Sequence, residues 1–148
     1  MRIAVVNGPN LRLLGQREPD VYGRATLAEI EATLLDQASE LSVELETFQS
    51  NSEGELLDYL EDAAPRVDGF VVNAGGLTHT SVCLRDGLVA VGRPFVEVHL
   101  SNVAARERFR HRSLLSSVAV GVVFGFGAES YLLGLRGLVA RLKEKGSR

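Results

Sequence analysis

The hydrophobic positions of the chain fall into five short runs that are rich in β-branched residues, and each run predicts a strand. Several runs are apolar at nearly every position instead of alternating with polar residues. That pattern is typical of parallel strands that are covered on both faces. The predicted strands are residues 3–6, 43–48, 69–72, 94–98 and 118–124.

The segments between these runs have helical periodicity. After Thr26, apolar residues recur every three or four positions and predict one buried helix face. That face consists of Leu27, Ile30, Leu34, Leu35 and Ala38. A hydroxyl residue followed three positions later by glutamate has the spacing of a capping box, which predicts helix starts at Thr26 and Ser52. Two further helices are predicted at 80–91 and 129–145, the second ending in a basic turn that suits the helix dipole.

Strands that alternate with helices predict an α/β fold in one domain, residues 1–148. We expect a flavodoxin-like, five-stranded parallel sheet with helices on both faces. Segment 8–25 departs from this alternation, because it is long for a connection inside a compact domain and has little periodicity. Connections of this length are usually functional lids or disordered linkers. Its prolines, leucines and Tyr22 favour a lid over the binding site.

Composition narrows the class of protein. The chain has 148 residues, 45% of them hydrophobic, and a formal charge of −3, so disorder, collagen-like structure and broad attraction to nucleic acid or anionic lipid are not expected. The single cysteine, Cys83, has no partner for an internal disulfide, which favours a cytoplasmic location. Its place on an apolar helix face predicts that it is buried. The longest apolar run, 118–126, is too short to span a membrane.

Polar residues collect directly after the predicted strands, where an open parallel sheet binds its ligand. These segments are 7–10, 49–52, 73–79, 99–102 and 125–127, and they contain asparagines, serines and two of the three histidines. Each asparagine or serine alone is more simply a turn or cap residue. Their coincidence at several strand ends indicates a site for a hydroxylated ligand.

Three groups of residues offer proton chemistry or charge recognition. His99 follows an apolar strand, with Glu97 two residues earlier, and is a candidate general acid or base. Segment 8–25 supplies Arg17 and Tyr22; an ordinary phenol has a pKa of about 10, so a tyrosine base needs nearby positive charge. An exposed Arg17 with a half-buried Tyr22 is the simpler structural interpretation of that pair.

The basic run 106–112 is either a solvated surface, a nucleic-acid contact or the source of one inward arginine that binds a carboxylate. Other chemistries have weaker support. The glycine-rich dinucleotide and phosphate motifs are absent, and no nucleophile elbow accompanies a triad of Ser101, His99 and Asp86. His79 and His99 lack a third metal ligand at a suitable spacing, so we predict no metal.

Taken together, these residues resemble the type II 3-dehydroquinate dehydratase family. The matching segments follow in order along nearly the whole chain: 7–11 with residues 14, 15, 17, 19, 22 and 23, then 49–54, 73–86, 97–102, 106–111, and 125–127 with residue 131. The resemblance implies a flavodoxin-like subunit in a homo-oligomer, usually a dodecamer of trimers. It also implies the reversible dehydration of 3-dehydroquinate to 3-dehydroshikimate in the shikimate pathway, without a metal or organic cofactor.

The resemblance assigns a role to each catalytic residue. Tyr22 would remove a C2 proton, and Arg17 would stabilise the tyrosinate and the charge of the transition state. Asn10 would orient a water that bridges the enolate. His99, helped by Glu97, would protonate the departing C1 hydroxyl from the opposite face.

The resemblance further implies the groups that bind the substrate hydroxyls and carboxylate: Asn73, His79, Ser101, the Leu100 backbone and Arg110. Asp86 would reach the site from a neighbouring subunit. The chain has Ala74, Gly76 and Leu77 where the family generally has other residues, and we expect these departures to alter affinity more than turnover. A catalytically silent binding protein on the same scaffold, or a nucleic-acid module using residues 106–112, are the alternative interpretations.

Overall fold

The structure is a computed structural model that describes residues 1–147. Its centre is a parallel sheet of five strands in the order β2-β1-β3-β4-β5, which is the predicted flavodoxin-like order. The strands are β1 (Arg2–Asn7), β2 (Glu44–Gln49), β3 (Gly69–Asn73), β4 (Phe95–His99) and β5 (Gly121–Phe124). The last strand begins three residues later than predicted, because Ser116–Val118 forms a 3-10 turn.

Helices cover both faces of the sheet, as predicted. They are α1 (Pro19–Tyr22), α2 (Leu27–Glu40), α3 (Glu53–Ala63), α4 (Val82–Ala90) and α5 (Glu129–Gly146). Alternate strand residues point to opposite faces, so Val5 packs with α2 and α5 while Val6 packs with α3 and α4. Both faces are buried in the core, which explains why the central strands are almost continuously apolar.

Serine and threonine caps start α2 and α3 at the predicted residues. The Thr26 and Ser52 hydroxyls each accept a hydrogen bond, at 3.2 Å, from the backbone N–H three residues later. The predicted capping box at Ser52 is wrong in its second half, because the Ser52 N–H donates to the Ser50 hydroxyl at 2.9 Å and that hydroxyl donates to the Glu55 carboxylate. Glu55 therefore ties α3 to the end of β2.

Two predictions of burial are wrong. Leu35 is 51% exposed on α2, since its neighbour Leu34 takes the core-facing position and each helical residue turns by about 100°. Cys83 is also exposed. The N-cap of α4 is Ser81, whose hydroxyl accepts from the Leu84 N–H at 2.9 Å, so the helix starts two residues later than predicted. Its phase then buries Leu84 and turns Cys83 outward.

Segment 8–25 contains a 3-10 turn at Leu11–Leu13 and the short helix α1. Leu11 and Leu14 are buried in the same core cluster as α2 and α5. Gly15 and Gly23 both have positive φ, at 87° and 82°. Most residues from Gly15 to residue 24 are exposed, while Tyr22 is partly buried against the same cluster. None of the helices within residues 1–147 is long and apolar enough to cross a membrane.

Candidate active site

A small cavity of about 150 Å³ lies at the carboxyl ends of β1, β3 and β4, where the sequence predicts the ligand site. Segment 8–25 covers one side, and the loop after β4 covers the other. Nine of the predicted site residues line the cavity: Asn10, Arg17, Tyr22, Asn73, His79, His99, Leu100, Ser101 and Arg110. The predicted set thus contributes two arginines, two histidines and one phenol to the cavity wall.

Tyr22 lies between two guanidinium groups. The Arg17 Nη2 donates to the Tyr22 hydroxyl at 3.3 Å, and the Arg17 guanidinium carbon is 4.7 Å from the centre of the ring. The guanidinium carbon of Arg106 lies 5.0 Å from the same centre. Both distances are within the range of cation–π attraction. Each guanidinium also lies near a carboxylate, Arg17 at 3.4 Å from Glu18 and Arg106 at 4.0 Å from Glu107.

Arg106 is the site residue that sequence reasoning missed. Its side chain is only 14% exposed, lines the cavity and donates to the Ser101 hydroxyl at 3.4 Å. The sequence predicts one inward arginine within 106–112, and the structure turns two inward, Arg106 and Arg110, while Arg108 is exposed. Residues 103–105 and 108–110 form separate 3-10 turns, so no single helical period tells which arginines face the cavity.

His99 and Glu97 form a buried pair at the end of β4. The two side chains are 7% and 2% exposed, and His99 Nε2 lies 2.6 Å from Glu97 Oε2. Burial alone would raise the pKa of Glu97, but hydrogen bonds from His99, Ser116 and Ser113 and the charge of His99 outweigh it and hold that pKa below its usual range. An ionised carboxylate only accepts, so we assign the proton on Nε2 to His99. Its Nδ1 is then the nitrogen left for a ligand.

His79 lies next to His99, with ring centres 6.3 Å apart and ring planes 17° from parallel. The Nδ1 of His79 is 2.8 Å from the Arg112 carbonyl oxygen and donates to it. Because that bond occupies Nδ1, Nε2 of His79 remains for a ligand. The two histidines therefore offer one ring nitrogen each to the cavity wall.

The side chain of Asn73 is hydrogen-bonded to a buried tyrosine, Tyr131. Its side-chain amide donates to the Tyr131 hydroxyl at 2.9 Å, and that hydroxyl donates to Asn7 Oδ1 at 2.6 Å. Burial raises the pKa of Tyr131, which keeps the phenol neutral and able to donate. The Asn73 Oδ1 accepts from the Gly75 N–H at 3.2 Å. This network ties α5 to the ends of β1 and β3 and fixes the orientation of the Asn73 side chain.

The turn after β1 carries Asn10 and is held by close contacts. A Cβ at Gly8 would lie 2.5 Å from the Ala74 carbonyl oxygen, so only glycine fits where the two strand ends meet. Asn10 has a φ of 71°, and its N–H donates to Asn51 Oδ1 at 3.0 Å. Asparagine tolerates this left-handed backbone better than most residues. The turn thus holds the Asn10 backbone at the cavity wall.

Two predicted site residues lie outside the cavity wall. Glu97 stands behind His99, and Asp86 is exposed on α4. Arg110 lines the cavity and also donates through Nε to the Glu107 carboxylate. Within residues 1–147, no group of three His, Cys, Asp or Glu side chains is arranged to hold a metal ion.

The arrangement supplies two proton-transfer groups from independent parts of the fold. A phenol flanked by guanidiniums is carried by segment 8–25, and a carboxylate-backed imidazole is carried by the end of a buried strand. Arginines, amides and hydroxyls around them match the hydrogen-bonding needs of a small hydroxylated acid. Such a site suits an elimination, in which a proton is removed from one carbon and a leaving group on the adjacent carbon is protonated.

Proteins of known class are similar to this chain in sequence and in fold. A 3-dehydroquinate dehydratase of Gloeobacter violaceus is 57% identical over 145 residues, covering 98% of this chain and 91% of the relative. One from Desulforudis audaxviator is 56% identical over 139 residues, covering 94% and 93%. The crystal structure of type II dehydroquinase from Butyrivibrio crossotus superposes with a TM-score of 0.91 at 38% identity, covering 93% of this chain and 97% of that one.

A more distant structure, a 3-dehydroquinate dehydratase-like protein from Bifidobacterium longum, superposes with a TM-score of 0.70 at 29% identity and covers 96% of this chain and 98% of that one. The family model described as dehydroquinase class II matches residues 1–139. That range contains every residue of the cavity wall. The chain therefore belongs to the class II dehydroquinase family.

Proposed function

We propose that this protein catalyses the reversible dehydration of 3-dehydroquinate to 3-dehydroshikimate, a step of the shikimate pathway. Its family and the names of its relatives support the reaction. The observation that carries the mechanism is the Tyr22 phenol, 3.3 Å from the Arg17 guanidinium, in the same cavity as His99. An elimination through an enolate needs a base and an acid, and a phenol with cationic neighbours and a separate imidazole can fill these two roles.

Tyr22, as its anion, removes a proton from C2 of the substrate. That proton is acidified by the neighbouring ketone, because the charge left behind spreads onto the ketone oxygen. Arg17 and Arg106 stabilise the tyrosinate before the transfer, and their positive charges stabilise the negative charge that develops in the transition state. Asn10 orients a water that donates a hydrogen bond to the enolate oxygen.

His99 completes the reaction from the opposite face of the ring. The enolate re-forms the ketone, the C1–C2 double bond forms and the C1–O bond breaks. Hydroxide is a poor leaving group, so the imidazolium of His99 donates its proton to the departing oxygen and water leaves. Glu97 stabilises the imidazolium through its 2.6 Å contact with Nε2.

The remaining polar groups of the cavity bind the substrate. We assign them as follows: Asn73, His79, Ser101 and the Leu100 backbone to the hydroxyls and carboxylate, and Arg110 to the hydroxyl side of the ring. Their support is their common position on the wall of one cavity. Arg110 is 23% exposed and lies at an edge of the site, which suits a residue that meets both substrate and a neighbouring subunit.

We also propose that the protein works as a homo-oligomer, a dodecamer built of trimers. Two exposed apolar surfaces support association: Val82 and Val89 on α4, and Phe124 with Phe126 at and after the β5 edge. Asp86 lies on α4 between the two valines. Docking α4 of one subunit beside the cavity of the next would bring the Asp86 carboxylate towards Arg110.

The reaction is tested by mixing the protein with 3-dehydroquinate and following the ultraviolet absorbance of the conjugated enone product. Tyr22→Phe and His99→Ala are each expected to lower kcat by about 10²–10⁴-fold, the usual contribution of a general base or acid. Near-parental turnover in either variant would contradict its assigned role. Folded, assembled parent protein that binds 3-dehydroquinate without forming product would contradict the function and identify a silent binding protein.

A further inference from the structure

The hydrogen bonds that hold His99 and Glu97 extend to two serines in the loop between β4 and β5. Ser113 Oγ donates to Glu97 Oε1 at 2.8 Å, and Ser116 Oγ donates to the same oxygen at 2.7 Å. The other carboxylate oxygen, Oε2, is the one that contacts His99. Each side of this 2% exposed carboxylate therefore has its own hydrogen-bonding partners.

The two serines differ in what else they hold. Ser113 Oγ also accepts from the backbone N–H groups of Leu115 and Ser116, at 3.0 and 3.1 Å, so it shapes the turn as well. The Ser116 hydroxyl contacts Glu97 alone among the described side chains. Ser116 is thus the cleaner residue for asking what the contact with the carboxylate does.

A buried carboxylate that is held at one oxygen only can rotate about its Cγ–Cδ bond. Two donors on Oε1 oppose that rotation, and they keep Oε2 directed at His99 Nε2. A fixed Oε2 in turn fixes the plane of the imidazole ring and selects the tautomer with its proton on Nε2. The consequence is that Nδ1 of His99 has one direction, into the cavity.

We propose that Ser113 and Ser116 are positioning residues for the acid step: they lock Glu97, and through it the ring plane of His99. The same contact selects the Nε2 tautomer of the neutral ring. The inference rests on the proposed role of His99 as the acid. Neither serine lines the 150 Å³ cavity; both line an adjoining cavity together with Glu97 and His99. We assign their effect to Glu97 because both hydroxyls donate to its carboxylate. Substrate binding depends on the groups that line the cavity, so we expect it to be independent of the two serines.

The test compares Ser116→Ala with Ser117→Ala, a matched control one residue along. The Ser117 hydroxyl is 2.8 Å from Arg85 Nη1, and it makes no described contact with Glu97. Ser116→Ala is expected to lower kcat about tenfold, the size of one hydrogen bond to a charged group, with KM within twofold of the parent. Ser117→Ala is expected to keep both constants. Ser116→Thr, which retains the hydroxyl, is expected to restore most of kcat.

A spectroscopic readout separates positioning from general damage to the fold. The chain has three histidines, so ¹⁵N labelling of histidine alone gives three imidazoles to assign by His→Gln variants. In the parent and in Ser117→Ala, we expect neutral His99 to carry its proton on Nε2 alone. In Ser116→Ala, we expect a mixture of the two tautomers. Combining Ser116→Ala with Glu97→Gln is expected to lower kcat no further than Glu97→Gln alone.

The outcomes distinguish this inference from the proposed function. A Ser116→Ala protein with parental kcat and only the Nε2 tautomer overturns the positioning role, while a large loss in His99→Ala leaves the acid assignment standing. Parental turnover in His99→Ala overturns the acid assignment itself. If Ser116→Ala does not assemble, Ser116→Cys keeps the side-chain size with a weaker donor and is expected to show the same loss in part. Parental kcat and tautomer in Ser116→Cys would count against the inference.

Discussion

The Tyr131 hydroxyl lies 2.9 Å from the Asn73 side-chain nitrogen, and this contact joins the C-terminal helix α5 to a group on the cavity wall. Both residues are buried, at 0% and 3% exposure. The position of Asn73 therefore depends on a residue that never reaches the substrate. Removal of that phenol leaves the Asn73 side-chain nitrogen and Asn7 Oδ1 without their hydrogen-bond partner.

Tyr131→Phe is accordingly expected to lower the free energy of unfolding by about 1–3 kcal/mol, the cost of unsatisfied buried polar groups. It is also expected to raise KM more than it lowers kcat, because Asn73 loses its fixed orientation. Chemical denaturation and the enone assay measure the two effects. The control is Tyr59→Phe, which removes the hydroxyl that donates to Glu46 at 2.6 Å, away from the cavity. Equal KM values in parent and Tyr131→Phe would contradict the positioning of Asn73.

Arg106 is expected to contribute to the base as well as to the cavity wall. Arg106→Ala removes one of the two positive charges beside Tyr22, and it should lower kcat by at least about tenfold with a folded, assembled protein. Arg108→Ala is the matched control, because Arg108 belongs to the same basic run and is exposed. The test is to measure kcat of the two variants by steady-state kinetics. A similar, small loss of kcat in both would contradict a role for Arg106 in the mechanism.

The proposed role of Asp86 in a neighbouring site predicts complementation between inactive subunits. Asp86→Ala and Tyr22→Phe are each expected to lose most turnover alone. Co-expressed with different tags and purified as mixed assemblies, they should regain activity, since a subunit with intact Tyr22 receives Asp86 from its neighbour. A mixture of Tyr22→Phe and His99→Ala should stay inactive, because both residues line one cavity. Failure of the first mixture to recover would assign Asp86 to its own subunit or to no site.

Acid stability should depend on Glu46, which lies outside the active site. Hydrogen bonds from Arg66 hold the pKa of Glu46 below its usual range, with smaller help from Tyr59 and against the effect of burial. A carboxyl whose pKa is lowered by folding stabilises the fold above its ordinary pKa of about 4.3, and that contribution disappears as the pH falls through the lowered value. Glu46→Gln should therefore lower Tm at pH 7 and differ less from the parent as the solution becomes more acidic.

Thermal unfolding at several pH values measures this dependence, with Glu61→Gln at an exposed position of α3 as the control. A deficit in Tm that is the same at pH 7 and at pH 3 would mean that charge on Glu46 does not contribute. The Arg66 side chain bridges Glu46 and Asp62, at 2.8 Å each, so an Arg66→Ala variant should share the pH dependence.

Sequence reasoning predicted the order of elements because the central strands are buried on both faces. A strand such as β3, buried at every position, leaves a run of apolar residues that is hard to mistake. Helix phase was harder to predict. Leu34 and Leu35 are equally apolar, and only packing against the sheet decides that Leu34 is buried and Leu35 is 51% exposed. Cys83 was misplaced for the same reason.

The site residues at the ends of strands were predictable because sheet topology gathers those ends. His99 and Asn73 follow this rule directly. The inward position of Arg106 could not be predicted in this way. It lies in a loop of short 3-10 turns, where the spacing of residues does not tell which side chains face the cavity. Ser113 and Ser116 carried no signal either, because a serine in a loop is ordinarily a turn residue and its contact with Glu97 spans 16 or 19 positions.

The buried leucines of segment 8–25 limit what can move. Leu11 and Leu14 are 5% and 1% exposed, so the chain is anchored up to Gly15, and Leu27 anchors it again at the start of α2. Arg17 and Tyr22 both belong to the stretch between these anchors. A displacement of that stretch as a unit would break the contact of Tyr22 with the core, withdraw the phenol and its guanidinium together, and leave the imidazole where it is. An open conformation would therefore admit and release ring acids without reacting with them, and reactivity would begin only on closure.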